Sequence, residues 1–480
     1  MNTSTSRRAE NSLPSVPVLM TALICAIFAF QLNASMLSPA LVTMEHQLGV
    51  DASQIGLTQT AFFAAAALFS LFLPRWGDLI GRRRIMLWML TITAIGCIIS
   101  GLSAYVGGVT MLAVGRVVQG VAGPIVPMAL IMLHVQVPDN RQYAKLMAVL
   151  TAVNGGIAGV DAMAGGWLAE HCGFQSVFFT MAVVCVIAVV AISFGTVESR
   201  GDERVPMDWK GTFPLVVVLG ALYFAFNEAG KLAEANWLVF AGLIVVAIVA
   251  FAVFWSVENR VAHPLVTTTY LKQRRTWALL GTTLLTMTGV FAVMNGLVPS
   301  LAQDGGVGPG ISAAEVSFWT LSPYAIAGLL MGPVSGQLAS RFGFKRVLQA
   351  GLILTSALLL FTVFVADRPS RLLLLLICIA VGIAYAGMVN IMLNGLGVVL
   401  SPADNQGYLP GMNSGAFNLG AGLSFAILYA INTFVGQSAG VLAGYRWAIA
   451  GGAFLVLCSL AFSTLIPRPD DVSDTASTHA

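Results

Sequence analysis

Apolar stretches of about twenty residues recur along the whole chain, each long enough to cross a hydrocarbon core about 30 Å thick. Read from their polar interruptions, they predict spans at roughly 16–37, 53–75, 83–104, 109–133, 144–168, 174–196, 211–228, 236–256, 276–300, 313–338, 346–366, 371–399, 408–434 and 444–466, about fourteen in all. The runs are continuously apolar, whereas a spanning strand would alternate over about ten residues, so an all-α integral membrane bundle is expected rather than a barrel. Composition agrees with that solvent: of 480 residues, 57% are hydrophobic and 9% charged, against about 25% charged in soluble domains.

The net charge of +3 matters less than its distribution. With the N-terminus inside, 19 of the 24 Lys and Arg fall in inner segments; Lys231, Arg368, Arg371 and Arg446 fall outside, and Arg116 lies within a span. A multi-pass protein of the plasma (inner) membrane with both termini cytoplasmic is expected. Arg7 and Arg8 ahead of the first span suit a signal peptide, but the long apolar run and the spans that follow read as an uncleaved first helix. The six Cys are scattered, with no CxxC pair and no His at metal spacing, so neither disulfides nor a metal site is expected. There is no GxxxxGK[ST] loop, which argues against a nucleotide-driven pump. Asp161 and Arg116 are the charged residues placed at depth, too few for most catalytic constellations, so no enzyme and no cofactor are expected.

Two loops resemble each other. Asp78-Leu-Ile-Gly81-Arg82-Arg83-Arg84 follows the second span, and Gly336-Gln-Leu-Ala-Ser340-Arg341-Phe-Gly343-Phe-Lys345-Arg346 follows the tenth. Two six-span halves would place such loops six spans apart, not eight, so spans 7 and 8 read as a pair inserted between the halves. The expected organisation is a tail over 1–15, a six-helix half over 16–196, the inserted pair with its loops over 197–275, a second half over 276–466 and a tail over 467–480. The first loop is similar to the Asp-x-x-Gly-Arg-Arg signature after helix 2 of the major facilitator superfamily. That resemblance implies a conformational switch at Asp78, Gly81, Arg82 and Arg83, and at Arg341 and Gly343 in the second copy. Three Arg in a row also satisfy the positive-inside tendency without any switch. Pro74, Leu79 and Ser340 depart from the family pattern, and a weaker gate in the second half follows from the last.

In the fourth span, Gly115-Arg116-Val-Val-Gln119-Gly120-Val-Ala-Gly123 resembles the superfamily's helix 4 motif, whose Arg is assigned a part in proton transfer; a structural tie between helices is the other reading. The fifth span carries Asn154-Gly-Gly-Ile-Ala-Gly159-Val-Asp161-Ala162-Met-Ala-Gly165-Gly166, similar to a degenerate antiporter signature with Asp161-Ala162 where exporters have Gly-Pro. A buried acid is costly and usually functional. Asp161 and Arg116, each about 10 Å below the outer surface at 1.5 Å per residue, are expected to form an ion pair and to carry proton coupling. Leu32-Asn33-Ala-Ser35 looks like the Leu-Asp-x-Thr segment of the fourteen-helix drug:proton antiporters, with Asn33 in place of the Asp. Asp208-Trp-x-Gly211 and Glu258-x-Arg260-x-x-His263-Pro264-Leu265 fit the same subfamily.

Uncharged polar and aromatic residues on the spans supply a candidate substrate site: Asn33, Gln59, Gln119, Asn154, Asn295, Trp319, Tyr324, Asn390, Asn394 and Asn413. Each taken singly is as well explained by hydrogen bonding between helices. As a set they suit a neutral or weakly charged ligand. The expectation is a secondary active transporter, a monomer in the lipid bilayer whose partners are a small organic substrate and protons, with no nucleic acid. Proton-coupled efflux of a drug or metabolite leads on the resemblance, and uptake of a small polar solute such as a nucleoside or sugar is the alternative.

Overall fold

The computed structural model describes residues 15–137, 139–200, 208–229, 235–261, 264, 266, 268–367, 369–401 and 408–467. The expected tails, 1–15 and 467–480, lie outside the described residues except for Ser15 and Pro467, as do 201–207 of the first inner loop and the side chain of Asn154. Among the described residues all regular structure is helical. In chain order the long helices are α1 (Val16–Leu48), α2 (Ala52–Ile80), α3 (Arg82–Leu102), α4 (Gly108–Gln136), α5 (Asn140–Cys172), α6 (Phe174–Gly195) and α7 (Trp209–Ala229). They continue as α8 (Trp237–Glu258), α9 (Arg274–Gln303), α10 (Leu321–Phe342, preceded by Ala313–Trp319), α11 (Phe344–Val365), α12 (Arg371–Val399), α13 (Tyr408–Ala439) and α14 (Val441–Ser463).

Twelve of these are long and apolar enough to cross a membrane by length and composition. The expected fourteen is reached only by adding α5 and α10, which meet where Gly159 of α5 packs on Ser322 and Ala325 of α10. Small residues let those two helices approach closely, at the expense of hydropathy.

Helices α1–α6 pack on one another, as do α9–α14; the two groups meet where α2 faces α13 and α5 faces α10. Helix α7 packs on α8 and reaches the bundle through α2 and α13. Large apolar side chains stand exposed along α8, Leu238, Ile248 and Val249 among them, as a lipid-facing helix requires.

The repeat seen in the loops extends to the backbone. Gly81 (φ 122°, ψ 126°), opening α3, has its counterpart in Gly343 (φ 84°, ψ 147°), opening α11. Gly173, opening α6, likewise matches Gly440, opening α14, each with positive φ and extended ψ. Side-chain-bearing residues are almost excluded from that region. Both pairs are eight helices apart.

Candidate translocation site

Arg116, on α4, is fully buried. Its Nη1 donates to Asn33 O (3.1 Å) and Gln119 Oε1 (2.7 Å), its Nη2 donates to Gln59 Oε1 (2.8 Å), and its guanidinium lies over the Phe62 ring at 4.1 Å. Gln119 Nε2 in turn donates to Gly96 O and Ser100 Oγ on α3, and Cys97 Sγ reaches Asn33 Oδ1. Glycines make this possible: a Cβ at Gly115 would lie 2.2 Å from Ser100 Oγ, and one at Gly123 2.4 Å from Ala66 O. Asn33, Gln59 and Gln119, expected as substrate ligands, are therefore parts of a buried network that joins α1 to α4.

The expected ion pair is not formed. Asp161, buried on α5, accepts a hydrogen bond from Ser35 Oγ on α1 and leaves Oδ1 without a partner. Both charges lie against α1, and each is held by neutral groups. Their common depth follows from sequence; their partners are set by which side chains the neighbouring helices present.

At the end of the bundle remote from the Asp78 loop, the two groups of helices are closely joined. Ala314 N–H donates to Glu170 Oε2 (2.7 Å), Ser317 Oγ to Ala162 O (2.9 Å), Ser322 Oγ to Gly159 O, and Thr60 Oγ1 to Gly422 O (2.9 Å). A Cβ at Gly166 would lie 2.0 Å from Ala313 O. The Ala314 N–H holds the Glu170 carboxyl below the usual carboxylate range.

At the opposite, basic end each group is tied within itself. Asp78 bonds Arg82 of its own turn (2.7 Å), and Arg83 donates from its side chain to Ser193 O on α6 and from its backbone N–H to Glu198 (3.1 Å). In the second copy Lys345 Nζ donates to Thr464 O (2.8 Å) and Ile466 O (2.5 Å), just beyond α14. Lys345 is thus the counterpart of Arg83, whereas Arg341 lies over the ring of its neighbour Phe342 at 5.4 Å. The spacing of Lys345 two residues past Gly343, matching Arg83 two past Gly81, carried that signal.

Asn295 lies in a π-helical turn, Val293–Leu297, with Nδ2 bonded to Phe291 O (3.0 Å), and a second such turn, Gly382–Val389, holds Tyr385. π turns within α-helices are frequent at functional sites. The Tyr385 ring stacks with Tyr324 at 6.4 Å. Asn394, exposed, donates to Asn390 O (2.9 Å), while Asn413 is buried and accepts from Thr283 Oγ1 (2.6 Å), a tie between helices. Trp319 closes the short helix ahead of α10, edge-on to Phe318. Between α2, α9 and α13 sits an aromatic cluster absent from the expected set: Phe63 meets Phe291 at 5.1 Å and Phe425 at 6.4 Å, and Phe291 meets Phe417 at 5.9 Å. Phe291 and Phe417 are half-buried.

A family model described as Major Facilitator Superfamily matches residues 23–424 and 279–479. The chain is 56% identical over 470 residues to a "Uridine/deoxyuridine transporter" of Lactococcus lactis subsp. cremoris (strain MG1363), covering 97% of each. It is 27% identical to the "Multidrug transporter protein MdtP" of Bacillus subtilis (strain 168), over 73% of this chain and 63% of that one. Among solved structures, the nucleoside transporter NupG superposes with a TM-score of 0.64 at 14% identity, over 94% of this chain and 100% of that one. A POT family transporter in complex with 5-aminolevulinic acid superposes with a TM-score of 0.66 at 15% identity, over 94% and 96% respectively.

Proposed function

The chain belongs to the Major Facilitator Superfamily, and we propose that within it this secondary transporter takes up pyrimidine nucleosides, uridine and deoxyuridine foremost. It is a transporter and not an enzyme. The observation that carries the nucleoside reading is the 56% identity across 97% of both chains, against 27% over a shorter stretch for the multidrug relative. Drug efflux, which led on motif resemblance, is displaced by its own alternative.

The chemistry near the two π turns supports this. A nucleoside is neutral, offers a flat aromatic base and carries amide and hydroxyl groups. Half-buried Phe291 and Phe417 offer ring faces, and Asn295, Asn390 and Asn394 offer amide groups, with no charged side chain among them. Base stacking on an aromatic ring is worth about 1–3 kcal/mol. With the basic end cytoplasmic, as the Lys and Arg distribution suggests, the contacts between the groups at the far end support reading the described conformation as inward-facing. Transport is then a rocking of α1–α6 against α9–α14, with α7 and α8 outside both. In this reading Asp161 carries the coupling proton, Arg116 ties α1 to α4, and the Asp78 and Gly343 turns serve as switches.

Counterflow of radiolabelled uridine in proteoliposomes tests the substrate class. Unlabelled uridine and deoxyuridine on the inside should drive tracer entry, and sugars and lipophilic cations should not. Counterflow by a lipophilic cation but not by uridine would restore the efflux reading.

A further inference from the structure

The loop motifs flanking α7 and α8 converge on one buried place at the basic end. Asp208, 5% exposed, precedes α7 and accepts the Gly211 N–H through Oδ1 (2.9 Å). Glu258, 2% exposed, ends α8 and accepts the Val266 N–H through Oε2 (2.8 Å). Each carboxyl keeps one oxygen without a partner, Oδ2 of Asp208 and Oε1 of Glu258. Those two oxygens face the same point: a Cβ at Gly211 would lie 2.6 Å from the first and 2.2 Å from the second. The carboxyls thus stand within hydrogen-bonding reach of each other. Arg75, on α2, lies close to both and donates from Nη1 to Pro264 O (2.7 Å). From α13 Tyr408 faces Glu258, its ring 5.1 Å from that of Tyr270 on the short segment Thr268–Leu271.

The charge count decides what this arrangement needs. Among the described residues, two ionised carboxylates beside one guanidinium leave a buried net charge and bring two unshared oxygens together, which is costly in a low dielectric. One proton removes both problems, since a carboxyl O–H on one residue donates to the bare oxygen of the other and the group with Arg75 becomes neutral. Like-charged carboxylates that share a site titrate as a pair.

We propose that Asp208 and Glu258 form a proton-binding site in which a single proton is shared between Oδ2 and Oε1, fastening the α7–α8 pair to α2 through Arg75. On deprotonation the proton passes to water at the basic end, the carboxylates repel, and the Glu258–Val266 and Arg75–Pro264 bonds loosen. Arg75 lies three residues before Asp78 in the same helix, so the clamp grips α2 just above the turn that the transport cycle must move. This site is separate from Asp161 and owes nothing to the identity of the substrate.

Infrared difference spectroscopy of the purified full-length protein in nanodiscs, titrated across pH without substrate, tests it. In an Asp161→Asn background, which removes the other buried acid proposed to carry a proton, the protein should show a protonated-carboxyl C=O band that bleaches in one step as pH rises, and adding Asp208→Asn or Glu258→Gln should in each case remove that band. Glu258→Gln keeps the acceptor for Val266 and can donate to Asp208, so it preserves the clamped geometry. Trp209, beside Asp208 and 5.8 Å from the Trp76 ring, gives a second readout free of carboxyl substitutions: its fluorescence, identified by its loss in Trp209→Phe, should follow the same single-proton titration. A carboxyl band unchanged in both variants, or Trp209 fluorescence flat across the range, overturns the proposal.

Discussion

Gln59→Leu separates a structural role for the Arg116 network from a ligand-binding one. The substitution leaves Arg116 with Asn33 O and Gln119 Oε1 but removes the acceptor 2.8 Å from Nη2. Hydrogen bonds to charged groups contribute about 1.5–3 kcal/mol in soluble proteins, whereas bonds between membrane helices average about 0.6 kcal/mol and reach about 1.7. The fully buried guanidinium has no water to turn to, which puts the expected loss in the upper part of that span, about 1.5–2 kcal/mol. Gln59→Glu places a carboxylate against the same nitrogen and should retain or raise stability. Thermal unfolding of the purified protein followed by tryptophan fluorescence checks both, with a lower melting temperature for Gln59→Leu alone. Uridine counterflow adds the second axis: in a tie between helices, Gln59→Glu leaves the KM for uridine near that of wild type. If Gln59→Leu melts with wild type while Gln59→Glu raises KM tenfold, Gln59 faces the ligand and the network reading fails.

Two further outcomes follow from the turns and from the far-end contact. Gly81→Ala and Gly343→Ala both force a side chain into a region that costs about 1–3 kcal/mol, but only at Gly81 would the Cβ also meet Glu198, 2.4 Å away, while nothing lies within 4 Å at Gly343. Gly81→Ala should therefore lower the melting temperature more, and equal losses would contradict the latch through Glu198. Because the Ala314 N–H depresses the Glu170 pKa, the ionised carboxyl favours the far-end contact, which is fully present at neutral pH and lost as pH falls through the folded-state pKa. Glu170 is exposed, so the effect stays below about 1 kcal/mol, roughly fivefold in an equilibrium. Labelling of Ala313→Cys in a Cys172→Ser background, divided at each pH by its rate in Glu170→Gln to cancel the thiolate dependence, should rise on acidification, and a ratio flat across pH would place the titrating group elsewhere.

The sequence shows this fold because continuous apolar runs admit few other structures, and because the Gly-Arg turn after α2 recurs after α10. Arg116 and Asp161 stood out as charges at depth. Their pairing was not legible: depth follows from counting residues, but Ser35 and Gln59 reach those charges through the rotation and packing of neighbouring helices. The same limit applies to Asn33, Gln59, Gln119 and Asn413, whose side-chain bonds to neighbouring helices cannot be read from their positions along the chain. Arg341 looked like the switch cation of the second copy; the bond to the end of the last helix is made by Lys345, the residue at the offset of Arg83. Phe63, Phe291, Phe417 and Phe425 were hidden in plain apolar stretches, where an aromatic ring packed on other rings between helices reads like one that faces lipid. Substrate class was least visible, since gate turns serve exporters and importers alike.

Accumulation of tracer uridine by intact cells that express the chain, in a host without nucleoside uptake, decides whether this transporter takes up nucleosides. Uridine should enter rapidly, competed by deoxyuridine, and its entry should be abolished by a substitution that blocks rocking such as Gly166→Phe, whose side chain would collide with Ala313. Absence of uridine entry, together with reduced cellular accumulation of a lipophilic cation, would contradict nucleoside uptake.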